Sequence, residues 1–309
     1  MSETATKKFA VVTGANKGIG LEICRQLASN GVAVVLTARD EKRGVEAVEK
    51  LRGSGLSDVR FHQLDVLDSA SIASLADFIK TQFQKLDILV NNAGISGVSL
   101  DDDAEKALVT VTGIGKESCW SNYQELAKHT NESVEECLQA NYYGAKRVTE
   151  APLPLLQLSD APRIVNVSSG LGRLQYVDDA WAKEVLNDID GLTEEIVDEV
   201  LKKFQKDFKD GLLETQGLSV YVMSKAAMNA YTRILEKKLP KFCINCVMPG
   251  YVKTDINYNT GYSTVEEGAE GPVMLALLPD DGPSGLFFNR KEVSTFWLNL
   301  NKKLVFLRE

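Results

Sequence analysis

A short apolar run, Phe9 to Val12, passes directly into the glycine-rich turn Thr13-Gly14-Ala15-Asn16-Lys17-Gly18-Ile19-Gly20 and then into a helical pattern carrying Leu21, Ile23, Cys24 and Leu27. Such a strand–turn–helix start constrains the fold, because a buried strand followed by a helix can rejoin its sheet only through a right-handed crossover. The unit repeats. Val32 to Leu36 reads as a strand before a charged helix, Glu41 to Leu51, and Val59 to Leu64 reads as a third strand before a helix capped by Asp68 and Ser69. Asp87 to Val90 is the fourth strand. The second half predicts a helix over roughly Val134 to Leu156, a strand Arg163 to Val167, a helix from about Tyr221 to Lys238 and a strand Cys243 to Val247. Ser263 with Glu266 reads as a capping box, and Gly285 to Phe288 as a last strand. The expected class is α/β: residues 1–309 form a single doubly wound Rossmann-type domain, with a parallel sheet of about seven strands.

Two stretches interrupt the alternation. Gly97 to Thr130 is long and polar. Residues 176–216 read as a helical flap inserted between Ser169 and Tyr221, with Thr193 capping a helix whose stripe includes Ile196, Val197, Val200, Leu201, Phe204 and Phe208. Segments this long inside a compact α/β domain are usually functional; covering an apolar sheet face is the alternative. Residues 298–309 read as a possible disordered tail.

The net charge of −8 argues against a nucleic-acid partner, which needs a basic face. No apolar run approaches a membrane span, and MSETATKK has no apolar signal-peptide core. Five cysteines without a small-domain framework suit a reducing compartment, so the expected address is cytoplasmic.

The chemistry concentrates at predicted strand ends. In the turn after the first strand, Gly14, Gly18 and Gly20, with Asn16, Lys17 and Ile19, let the backbone approach a pyrophosphate at the positive end of a helix. Arg39 follows the second strand, where NAD sites favour an acid and a base accommodates a 2′-phosphate. Together with Lys17 it points to NADPH/NADP+, while Asp40 reads as a helix cap. Asp65 and Val66 end the third strand, and the turn Asn91-Asn92-Ala93-Gly94 ends the fourth. Tyr221 and Lys225 stand at i and i+4 on one helix face, where a cation favours the phenolate and readies the tyrosine for proton transfer. Ser168 and Ser169 end the strand Arg163 to Val167, and a hydroxyl there can stabilise charge on a reacting oxygen.

Other features read as structural. Cys243-Ile-Asn-Cys246 has CxxC spacing but lies in a buried strand. Gly115-Lys116 lacks the hydroxyl residue of a phosphate loop, and His62 and His129 lack partners for a metal, so no metal site is expected. Asn131-Glu-Ser133 matches a glycosylation motif without a secretory context.

Taken in order, T-G-x-x-x-G-x-G, NNAG, the serine strand, Y-x-x-x-K and Pro249-Gly250-Tyr251-Val252-Lys253-Thr254 resemble the short-chain dehydrogenase/reductase family from about residue 8 to residue 290. VVTGANKGIGLEIC, VVLTARD, FHQLDV, LDILVNNAGISG, VKTDI and LLPDDGPSG are similar to the carbonyl-reductase branch, particularly plant reductases of the salutaridine and menthone/neomenthol type. The resemblance implies a catalytic set of Asn141, Ser169, Tyr221 and Lys225, with Ser169 chosen over Ser168 and Asn141 holding a water that links to the lysine. It implies cofactor contacts from Asp65, Val66, Asn92 and Gly94, and from Pro249, Gly250, Val252 and Thr254 beside the nicotinamide. Ser169 and Tyr221 would also contact the substrate, a small-molecule ketone or alcohol.

The long segment between Ser169 and Tyr221 fits that branch, where it covers the edge used elsewhere for tetramers. A monomer is therefore expected, with substrate choice partly at the stripe around Trp181 and Phe204. A relative that reduces an enone carbon–carbon bond carries an acid at the tyrosine position, so Tyr221 favours carbonyl chemistry. Gln216-Gly-Leu-Ser-Val220 departs from the branch by being shorter and less apolar. The expected activity is NADPH-dependent interconversion of a ketone and an alcohol on a cyclic terpenoid or alkaloid skeleton. A broad carbonyl and quinone reductase and a non-catalytic NADPH sensor are the alternatives.

Overall fold

The computed structural model describes residues 7–98, 129–213 and 219–297. In chain order the first half is β1 (Phe9–Val12), α1 (Gly18–Ser29), β2 (Ala33–Ala38), α2 (Glu41–Gly53), β3 (Val59–Gln63), α3 (Ser69–Phe83) and β4 (Ile88–Asn91). After residues 99–128 come α4 (Asn131–Leu138), a π-helical turn (Gln139–Gly144), α5 (Ala145–Glu150), α6 (Leu153–Leu156) and β5 (Arg163–Val167). The flap holds α7 (Ala180–Asn187) and α8 (Glu194–Lys209); then follow α9 (Ser219–Lys238), β6 (Cys243–Met248), α10 (Val265–Ala276), β7 (Phe287–Asn289) and β8 (Glu292–Ser294).

Among the described residues the strands form one eight-stranded sheet, in the order β3-β2-β1-β4-β5-β6-β7-β8. It is parallel through β7, and β8 returns antiparallel as an edge hairpin. The chain runs outward from β1 to β3 and then crosses to the other side of β1 as β4. Beyond the carboxyl ends of β1 and β4, a parallel sheet opens a crevice at that reversal. Alternation along β1 divides the core: Val11 faces a cluster with Leu75, Leu138, Leu201 and Ala227, whereas Ala10 and Val12 face Ile23, Leu27, Val48 and Ala276. Helices therefore bury both faces.

Asp40, Asp68 and Thr193 cap α2, α3 and α8, each accepting a backbone N–H from the first turn. The capping box of α10 lies one residue later than the sequence suggests. Thr264 and Glu267 form it, while the Ser263 hydroxyl receives a hydrogen bond from Arg290. The single helix expected over Val134 to Leu156 is interrupted, first by the π-helical turn and then at Pro152, which has no N–H to continue it. The final strand lies at Phe287–Asn289, and β8 adds a further strand whose residues are mostly exposed, so no apolar run announces it.

α8 packs on α9 and α4 through buried Val197, Val200, Leu201 and Phe204. Trp181 lies near the surface with the Lys203 ammonium 5.9 Å from its ring centre. Neither Trp181 nor Phe204 lines the cleft, which corrects the expected substrate stripe. An amphipathic helix puts its apolar side into the core, and here that core is the outer face of α4 and α9. Among the described residues no helix is long and apolar enough to cross a membrane, and no group of His, Cys, Asp or Glu is arranged to hold a metal. Cys24, Cys137, Cys243 and Cys246 are free and buried. Gly115, Lys116, the tail 298–309 and most of the departing segment 216–220 lie outside the described residues.

Candidate active site

The glycine turn is shaped by contact with the turn after β4. The Thr13 hydroxyl accepts hydrogen bonds from the Asn92 and Ala93 backbone N–H groups, both at 2.9 Å. The Asn92 amide returns them, donating to the Thr13 and Gly14 carbonyls at 2.9 and 3.1 Å. This closeness decides the residue types. A Cβ on Gly20 would lie 2.5 Å from the Asn92 side-chain nitrogen, and one on Gly14 2.9 Å from the Ala93 Cα. Gly14 also has φ +61°, which a side chain disfavours. The glycines thus let the turn pack directly on the β4 turn, and the N-terminus of α1 that follows carries no side-chain cap.

All the cofactor-side positions singled out in the sequence line one cleft along the strand ends, and Ser169 lines it with them. Asn141 stands behind it, fully buried. Arg39 and Lys17 reach the same end of the cleft, and the structure adds Arg43 from the first turn of α2. The signal for Arg43 was its place three residues after the Asp40 cap, in the first turn of the helix that follows Arg39. Lys17 does not stand free there: its ammonium meets the Asp255 carboxylate at 2.5 Å and holds that carboxyl below the usual carboxylate range. From the other wall, the Thr254 methyl would be 3.4 Å from a Cβ on Gly18, and Gly250, at φ +96°, is backed by the Arg290 guanidinium. Arg290 was not foreseen, since it becomes relevant only when β7 and its turn pair with β6.

At the other end, α9 carries Tyr221 and Lys225 one turn apart. The Lys225 ammonium donates to the Val167 carbonyl at 2.8 Å and lies 5.7 Å from the Tyr221 ring centre. Burial pushes the Tyr221 phenol up to about 12, partly offset by the Ser169 hydroxyl, and pushes the Lys225 ammonium down to about 8. Desolvation is the larger influence on the phenol, and the lysine's hydrogen bond goes to Val167 rather than to Tyr221. The two serines separate clearly. Both border the cleft, but Ser168, 3% exposed, is tied up donating to the Asn229 side-chain oxygen at 2.6 Å, whereas Ser169 caps the following turn by accepting from the Leu171 N–H.

Asn141 sits within the π-helical turn. Its oxygen accepts from the Ile95 N–H at 2.8 Å, and its amide donates to the Ile95 carbonyl and to the Ser224 hydroxyl, both at 2.9 Å. The side chain therefore clasps the segment after β4. A Cβ on Gly94 would lie 3.0 Å from the Asn141 oxygen and 3.6 Å from the Lys225 ammonium, so this glycine keeps the space between them open.

This architecture has known counterparts. The short chain dehydrogenase family model matches residues 8–180. The chain belongs to that family. The solved salutaridine reductase of Papaver somniferum superposes with a TM-score of 0.86 at 57% identity, over 92% of this chain and 99% of that one. The (+)-neomenthol dehydrogenase of Arabidopsis thaliana is 56% identical over 94% of this chain and 99% of its own length. A carbonyl reductase [NADPH] 3 from Mus musculus is 37% identical over 95% of this chain and its whole length.

Proposed function

We propose that this dehydrogenase-family protein is an NADPH-dependent reductase of a ketone on a cyclic terpenoid or alkaloid skeleton, with Tyr221 as proton donor. The observation that carries the reading is one cleft with three cations at one end and the Ser169–Tyr221–Lys225 group at the other. The fit to NADPH rests on the uncapped N-terminus of α1 beside the glycine turn, and on Lys17, Arg39 and Arg43, donors suited to a phosphate monoester. The kinship with reductases named for salutaridine and neomenthol supports a bulky cyclic substrate.

Bound in the cleft, NADPH would supply the hydride for the carbonyl carbon. Ser169 donates a hydrogen bond to the ketone oxygen and holds it beside Tyr221, stabilising negative charge as it develops. Tyr221 gives its proton to that oxygen, so the product is the alcohol. A phenol held near 12 is protonated throughout the neutral range, which suits a donor in the reductive direction. Lys225, held near 8, gives up a proton more readily than an exposed lysine and stands next in line to restore that of Tyr221. Asn141 fixes the segment carrying Gly94 and Ile95, and so keeps the passage to Lys225 open.

With α8 lying over α4 and α9, the protein acts as a monomer, and its free buried cysteines suit a reducing cytoplasmic setting. The test is NADPH oxidation with cyclic terpenoid ketones, alkaloid ketones, small carbonyls and quinones, repeated with NADH and with Tyr221→Phe. Turnover of a bulky cyclic ketone, NADPH preferred, and loss of most turnover in Tyr221→Phe with NADPH still bound are expected. Weak turnover spread over small carbonyls and quinones overturns the substrate class, and NADPH binding without any turnover overturns catalysis.

A further inference from the structure

The helix that bears Tyr221 and Lys225 presents Asn229 one turn further along the same face. Asn229 is 2% exposed, and both ends of its amide are engaged. Its oxygen accepts from the Ser168 hydroxyl at 2.6 Å, and its nitrogen donates to the Gly172 carbonyl at 2.9 Å. These two contacts bracket Ser169. Between them lies the short 3₁₀ turn Gly170–Gly172, whose first residues the Ser169 side chain caps. The helix presses directly on this turn: a Cβ on Gly172 would lie 2.8 Å from the Asn229 nitrogen and from the Lys225 carbonyl carbon. Lys225 adds a third hold through the Val167 carbonyl.

We propose that Asn229 is a positioning residue for catalysis, setting the Ser169 hydroxyl against the Tyr221 phenol by clamping the serine turn to the tyrosine's own helix. The proposal rests on Ser169 as the donor to the ketone oxygen. Ser169 comes from a strand end and Tyr221 from a helix far along the chain, so their hydroxyls share an acceptor only if the two elements hold a constant spacing. Backbone packing alone leaves a three-residue turn free to shift by fractions of an ångström, and transition-state hydrogen bonds are sensitive to such shifts. A side-chain amide donating at one end of the turn and accepting at the other removes that freedom. Asn229 touches neither substrate nor cofactor in this arrangement, and acts only through Ser169.

The test is a double-mutant cycle in kcat between Asn229→Ala and Ser169→Ala, with NADPH affinity measured by fluorescence for every variant. Asn229→Ala is expected to lower kcat about tenfold or more while NADPH Kd stays within about twofold. In the Ser169→Ala background, the same change is expected to cost less than about twofold in kcat. Equal losses in both backgrounds overturn the proposal, as does an Asn229→Ala enzyme with wild-type kcat. Full turnover by Ser169→Ala overturns the reading of Ser169, and the proposal with it, which separates the two failures. If Asn229→Ala does not fold, Ser168→Ala removes one end of the clamp with a smaller change. It should lower kcat several-fold, and Ser168→Thr, which keeps the hydroxyl, should recover it. Ser168→Ala with unchanged kcat overturns the clamp.

Discussion

The Lys17 ammonium and the Asp255 carboxylate meet at 2.5 Å across the mouth of the cleft, joining the glycine turn to the segment after β6. Both side chains are more than half exposed, so the pair contributes little to folding, on the order of 0–1 kcal/mol. Its consequence lies in binding, because Asp255 competes for the cation that would face a 2′-phosphate. Asp255→Asn should leave thermal stability nearly unchanged and tighten NADPH binding about threefold, with little effect on NADH. Fluorescence titration of both cofactors checks this; weaker NADPH binding would mean that the pair instead latches the cleft.

Arg39 and Arg43 line the cleft with Lys17. Charge-assisted hydrogen bonds to phosphate contribute about 1.5–3 kcal/mol each. Arg43→Ala should therefore raise the NADPH KM by about tenfold or more, and Arg39→Ala by a similar factor, while NADH changes little. Initial rates with each cofactor give the ratio directly.

Gly94 separates the Asn141 oxygen from the Lys225 ammonium. Gly94→Ala places a methyl in that space, within 3.0 Å of the oxygen. Turnover should fall about tenfold or more while NADPH affinity shifts by less than about threefold, since the change interrupts proton supply rather than the phosphate cradle. Comparable losses in both quantities would locate the effect in cofactor binding.

Lys225 is nearly fully buried, and burial holds its ammonium near 8, below its ordinary value. Between about pH 8 and pH 10.4 the unfolded chain binds the proton more tightly than the folded one, so stability rises with pH through that window. Below about pH 8 the full penalty of the buried charge is present. Lys225→Met removes it at the cost of the hydrogen bond to Val167, and should raise stability at pH 7 by about 2 kcal/mol while abolishing turnover. Thermal melts of the two proteins should converge at about pH 9.5 and cross above it, where the wild type keeps the hydrogen bond to Val167 without the buried charge.

Much of the site was legible along the chain because its residues sit at strand ends, and strand ends follow the apolar runs. The order of glycine turn, Arg39, Asp65, the Asn91 to Gly94 turn and Ser169 is a consequence of doubly wound topology, and a parallel sheet delivers these to one edge, where α9 brings Tyr221 and Lys225. The stripe on α8 was legible as a stripe but not as to its target. Periodicity identifies the apolar side of a helix, not the surface that it meets, and Phe204 meets the core rather than the substrate cleft. β8 escaped because an edge strand with exposed residues has no burial pattern to reveal it.

By itself, then, the sequence determined the α/β class, the strand-end location of the site and the chemical types gathered there, since hydrophobic periodicity and glycine geometry act locally. Only the tertiary structure decided the partners. Lys17 pairs with Asp255, Ser168 donates to Asn229 while Ser169 caps the turn at Leu171, and Asn141 clasps Ile95. It also adds a burial that pushes the Tyr221 phenol up, since desolvation depends on what surrounds a side chain in space, and those surroundings come from residues far apart in the chain.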